Sequence, residues 1–116
     1  MIETVLFEYL RGVFKDVPVF MEIPERGIPP RFILLEKTGG GFENQIGYAT
    51  FAAQSYGESL ADAATLNQRV IRAMLDAISL DEVSQVDLNS DYNFTDTTRK
   101  RHRYQAVFDI THYVTP

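Results

Sequence analysis

The sequence predicts an α+β domain. It is a mostly antiparallel sheet with two helices packed on one face, in the order α-β-β-β-α-β-β. Three observations predict it. Leu60, Ala63, Ala64, Asn67, Val70, Ile71, Met74, Leu75 and Ile78 recur at three- and four-residue steps, the period of one helix face. Ile2, Val5, Leu6, Tyr9, Leu10, Val13 and Phe14 do the same at the start of the chain. Near its end, Tyr104, Ala106, Phe108, Ile110 and His112 alternate with Gln105, Asp109 and Thr111, the two-residue period of a half-buried strand.

In order, the opening helix sets Glu3, Glu8, Arg11 and Lys15 on its polar side. Acids come early and bases late, in line with the helix dipole. Pro18 prevents continuation, and Val19 to Ile23 is predicted as a short strand. Pro24, Gly27, Pro29 and Pro30 make a stiff irregular connection. Arg31 to Thr38 is the next strand. Its run Phe32-Ile33-Leu34-Leu35 is apolar on both faces, so both need cover, one from the helices and one from a neighbouring subunit. Gly39-Gly40-Gly41 is expected to end that strand in a mobile hairpin loop, because consecutive glycines are entropically costly to order. Ile46 to Gln54 is a third strand, and Tyr56-Gly57-Glu58-Ser59 turns the chain into the central helix.

Ser59 stands three residues before Asp62, close to a capping box, so its hydroxyl is expected to accept an unpaired first-turn amide. Ala61, Ala63 and Ala64 favour helix and allow a close approach to the sheet. Asp62, Gln68, Arg69, Arg72 and Asp76 form the polar face. Glu82 to Leu88 is predicted as a strand, Asn89 to Asn93 as a turn, and Phe94 to Thr98 as a further extended piece before the final strand.

At 116 residues the chain suits one domain over 1–116, large enough to bury roughly two-thirds of its unfolded surface. It has no cysteine, which excludes disulfides, thiolate metal sites and cysteine nucleophiles. A formal net charge of −5 argues against wholesale nucleic-acid binding. Glu3 and Glu8 inside the first apolar pattern argue against a secretory signal, and no stretch reads as a bilayer span. No repeat or low-complexity segment is present.

No residue pattern points to catalysis. The carboxylates show no dyad-like run. His102 and His112 alone do not make a zinc site, and His112 is expected to pack in a core or interface. Ser55 and Ser59 lack the glycine spacing of a nucleophile elbow. The glycine run has neither the Gly-Lys-Ser/Thr of a phosphate loop nor a helix start after Gly41. The chain is therefore read as a non-enzyme with no cofactor and no metal.

The sharpest local feature is Arg99-Lys100-Arg101-His102-Arg103. It is a solvated rim, or a basic edge for acidic groups on a partner or the next subunit, or a path for phosphates of DNA. Asp81, Glu82, Asp91 and Asp96 are the acidic candidates for such a subunit contact. With no aromatic residues interleaved in the run, base reading is not expected.

Three blocks resemble the small tail-terminator and tail-completion proteins of long-tailed phages. They are Arg31 to Gly41, Ala53 to Ser59 with the helix that follows, and Asp91 to Thr98 with Arg103 to Thr111. With the opening helix they cover nearly the whole chain, through element order and a few residues. The resemblance implies a non-enzymatic phage or prophage protein that closes into a ring, typically a homohexamer. Such a ring caps the tail tube, stops its polymerisation and offers a surface for head–tail joining. The implied partners are further copies of the chain, the tail tube protein, the head–tail connector and non-specifically DNA in the lumen, but no membrane. The implied location is the tail or neck of the virion, after synthesis in the host bacterial cytoplasm. Under this reading Phe32, Ile33, Leu34 and Leu35 form the subunit interface. Gly39, Gly40, Gly41, Phe42 and Glu43 form a partner-contact loop, and Arg99, Lys100, Arg101 and Arg103 a basic contact edge. Alternatives are another neck or minor capsid joining protein, or a small monomeric or dimeric binding module.

Overall fold

A computed structural model describes residues 1–114. Helix α1 (Ile2–Val13) leads to strand β1 (Val19–Phe20), then β2 (Phe32–Glu43) and β3 (Ile46–Gly57). Helix α2 (Leu60–Asp76) passes through a short 3-10 helix (Ala77–Ser79) into β4 (Val83–Asn93) and β5 (His102–Tyr113). The five strands form one sheet in the order β1-β2-β3-β5-β4. Only β1 and β2 run parallel, and every other neighbouring pair is antiparallel. The chain is an α+β domain with the element order that the sequence predicts.

One core lies between the helices and one sheet face. Ile2, Leu6 and Leu10 from α1 meet Leu66, Val70 and Met74 from α2 over Ile33, Leu35, Phe51, Phe108 and Ile110. Each strand sends alternate residues to this face because its side-chain period is two. The same period leaves the opposite face without a helix; it carries a small apolar cluster of Phe20, Phe32, Leu34 and Tyr56 and, beside it, hydrogen-bonding residues. Gln54 Nε2 donates to Gln105 Oε1 at 2.9 Å, and Tyr56 OH donates to Gln54 Oε1 at 3.0 Å. Thr50 Oγ1 donates to Asp109 Oδ1 at 3.0 Å. Such a polar ladder lets an antiparallel sheet face water on one side.

Several boundaries differ from the sequence reading. The glycine run is not a loop. β2 continues through Gly39, Gly40 and Gly41, which pair with Thr50, Ala49 and Tyr48 of β3. The ladder supplies hydrogen bonds that hold the glycines extended despite their entropic cost. A bulge falls between Lys37 and Gly39. The reversal comes later, at Asn44 and Gln45, whose φ values are +51° and +66°. Two such residues make the tight turn that matches the twist of a hairpin. β4 likewise runs on through Asn89 to Asn93, where a turn was expected, because β5 pairs with it as far as Tyr104. Phe94 to Thr98 is not a strand, and β1 stops at Phe20 rather than Ile23.

Helix α2 is rotated slightly from the face its pattern suggests. Leu66, Ala73 and Ala77 are buried, whereas Leu60, Leu75 and Ile78 are exposed. Ser59 caps it by accepting from Asp62 N at 3.0 Å, and the Asp62 carboxylate accepts from Glu58 N at 2.9 Å. The connection after α1 is tied to α2 by Asp16, whose carboxylate accepts from Arg69 at 2.9 and 3.1 Å. Those bonds hold the Asp16 carboxyl below its ordinary range. Tyr9 OH donates to Ala73 O at 2.7 Å, and partial burial, aided by the negative charge of Asp76, raises its pKa.

Candidate functional site

The four cations picked out in the sequence sit at or beside the tip of the β4–β5 hairpin. The tip is built by short-range polar bonds. Asn93 Oδ1 accepts from Thr95 N at 3.0 Å. Asp96 Oδ1 accepts from Thr98 N at 3.1 Å and from Arg99 N at 3.2 Å. These are turns of the kind that short Asx side chains favour. Asp96 and Arg101 then exchange two backbone hydrogen bonds of 3.0 Å, and Lys100 takes a φ of +54° to close the turn.

Aromatic rings from other strands hold the two arginines at the base of the tip. Phe32 of β2 and Tyr56 of β3 stack with centroids 4.2 Å apart, and Phe20 of β1 packs against Phe32 at 5.7 Å. The Arg101 guanidinium lies over both Tyr56, at 5.1 Å, and Phe32, at 5.4 Å. Arg103 lies 4.4 Å from the Phe94 ring, donates from Nε to Phe94 O at 2.6 Å and from Nη1 to Tyr56 OH at 3.0 Å. Cation–π contacts and hydrogen bonds thus fix both guanidinium groups before any partner arrives. Tyr92 and Phe94 stand beside them edge to face, partly exposed. The sequence run contains no interleaved aromatics. The aromatics that serve it come from β1, β2, β3 and β4, brought together only by sheet pairing.

Among the described residues, no carboxylate lies within ion-pair distance of Arg99, Lys100, Arg101 or Arg103. Arg31, just before β2, does pair with Asp62, its Nε 3.1 Å from Oδ2 but without hydrogen-bond geometry.

The structure separates the other two candidate surfaces from the tip to different degrees. Phe32, Ile33, Leu34 and Leu35 are each no more than 5% exposed within the single chain. Ile33 and Leu35 join the helix-side core, while Phe32 and Leu34 pack with Tyr56 and Phe20 on the other face. The second cover that the sequence reading gave to a neighbouring subunit therefore comes from this chain itself. Gly39 to Glu43 lie on exposed strand, toward the opposite end of the sheet from the basic tip. Phe42 is 77% exposed.

His112 is partly buried, with its ring over the Cα of Gly47. A cleft of about 340 Å³ lies beside it, lined by Glu3, Lys37 and Glu82 among others. Ser55 is fully buried. No group of three or more metal-ligating side chains exists among the described residues, and no helix there is long and apolar enough to cross a membrane. No protein-family model matches the chain, and no curated protein matches it.

Proposed function

We propose that this chain is a self-assembling structural protein of the phage tail-terminator type, which closes into a ring on the end of the tail tube. One observation carries the assembly part of this reading. The outer edge of β2 is covered by β1 only at Ile33 and Leu34, so among the described residues Glu36 to Glu43 keep an edge with no neighbouring strand. An open strand of that length is a template for pairing with another chain. The polar part of the face opposite the helices supports the same reading, since a surface of hydrogen-bonded Gln, Thr and Asp side chains tolerates a water-filled lumen. The terminator identity itself rests on the resemblance of the three sequence blocks.

The test is the solution mass by light scattering, followed by mixing with purified tail tubes. A mass near six protomers, with annular particles in negative stain, or binding confined to tube ends, is the expected result. A chain that stays monomeric and ignores tube ends overturns the reading.

A further inference from the structure

We infer that the basic hairpin tip is a docking surface for a second copy of this chain, received at that copy's opposite, acidic end. The inference rests on the reading of the chain as a self-assembling subunit, not on the identity of the assembly it builds.

The sequence alone leaves four acidic candidates for the basic run, and the structure removes two. Asp96 is in the same turn, with its carboxylate already accepting two backbone amides. Asp91 is held by Asn67 Nδ2 at 2.6 Å. Asp81 and Glu82 remain, and they lie far from the tip. Tyr113 N donates to Glu82 O, so both stand at the far end of β5, beside the Asn44–Gln45 turn and the exposed Glu43. The 12 residues of β5 separate the two ends by roughly 36 Å at about 3.3 Å per residue. That spans most of the 44 Å long axis.

Both ends keep charges without an ion-pair partner among the described residues. Arg99, Lys100, Arg101 and Arg103 have no ion-pair partner among the described residues, and neither do Glu43, Asp81 and Glu82. A chain with 16 acidic and 11 basic residues offers its cations many possible partners. Four cations left together, two of them pinned on aromatic rings, are placed for an anion from outside. The exposed Tyr92 and Phe94 beside them add the aromatic–arginine composition that protein interfaces favour. Phe32 and Tyr56 are too buried to stack on bases. A protein partner therefore fits the tip better than a nucleic acid does. A basic patch at one end and an acidic patch at the other are different surfaces, so the contact is heterologous. Repeated with a suitable rotation, such a contact closes a ring.

Charge reversal tests this. One variant carries Arg99→Glu and Lys100→Glu, two exposed side chains that make no side-chain hydrogen bond or ion pair among the described residues. The other carries Asp81→Lys and Glu82→Lys. Light scattering over a concentration series, at low and high salt, reads association, and circular dichroism checks that each variant is folded. The wild-type chain is expected to associate at low salt and to dissociate as salt rises. Each variant alone is expected to associate at least ~10-fold more weakly. An equimolar mixture is expected to recover association, because the reversed tip of one fits the reversed end of the other.

Folded variants that associate like the wild type, or a mixture that recovers nothing, overturn the inference. So does a wild-type chain that is monomeric at every concentration and salt. If that monomer binds a fluorescent DNA duplex through the tip, phosphate is the occupant instead. Recovery in the mixture with neither a six-protomer ring nor binding to tube ends leaves the inference standing and removes the terminator reading.

Discussion

Gly57 and Ala63 approach so closely that a Cβ on Gly57 would stand 2.8 Å from the Cα of Ala63 and 2.9 Å from the carbonyl carbon of Asp62. The obstruction is the backbone of the first turn of α2, which cannot swing aside as a side chain can. Gly57→Ala is therefore expected to cost about 3 kcal/mol, the upper part of the overpacking range. Gly41→Ala, which meets nothing within 4 Å, should stay within about 0.5 kcal/mol. Urea unfolding of the two variants checks the contrast, and equal losses would remove the close-approach argument.

Ser59→Ala deletes the acceptor for Asp62 N at the start of the same helix. The expected loss is about 1 kcal/mol, with Ser59→Asp close to wild type, since either oxygen can cap. Thermal melts of the pair measure it. A loss in both variants would mean that the backbone, not the side-chain oxygen, decides the cap.

Asp91→Ala leaves the amide of Asn67, fully buried on the inner face of α2, without its side-chain partner. An unsatisfied buried donor costs about 1–3 kcal/mol. Adding Asn67→Leu removes the stranded amide and should recover part of the loss. A double-mutant cycle reads the coupling, and strict additivity would show that the two residues act independently.

The raised pKa of Tyr9 makes stability depend on alkaline pH. Its neutral hydroxyl is favoured in the fold by burial and by the nearby negative charge of Asp76. A raised folded pKa contributes stability that is complete below the ordinary value of 10.0 and is lost as pH rises through the folded value. Tyr9→Phe should lose about 1 kcal/mol near neutrality, through the missing bond to Ala73 O, and should show a flatter decline above pH 10.0. Unfolding curves from neutral to alkaline pH test both parts.

Asp16 works in the opposite direction. The hydrogen bonds from Arg69 lower its pKa, so its contribution is present above the ordinary value of 3.8 and is lost as pH falls through the lowered folded value. Asp16→Asn should lower the melting temperature slightly at neutral pH and match the wild type in strong acid. The pair is exposed, so the shift is small and shrinks in salt. An Asp16→Asn deficit that persists unchanged in strong acid would place its cause elsewhere.

The element order, the two helices, the final strand and the Ser59 cap were legible in the amino-acid sequence. Each is written locally, in a 3.6- or 2-residue period or a three-residue spacing, and local sterics and hydrogen bonding are enough to set it. What β pairing controls emerges from the folded chain alone. Gly39 to Gly41 are poor strand formers, yet the β3 ladder holds them extended, and Asn89 to Asn93 look like a turn until β5 lies beside them. The cover on Phe32 and Leu34 comes from Phe20 and Tyr56, which are distant in sequence, so it left no periodic trace. The same holds for the basic tip. Arg101 and Arg103 are legible as a charge run, but the rings that fix them belong to β2, β3 and the end of β4. Long-range pairing assembles such clusters, and no window of neighbouring residues encodes which strands will meet.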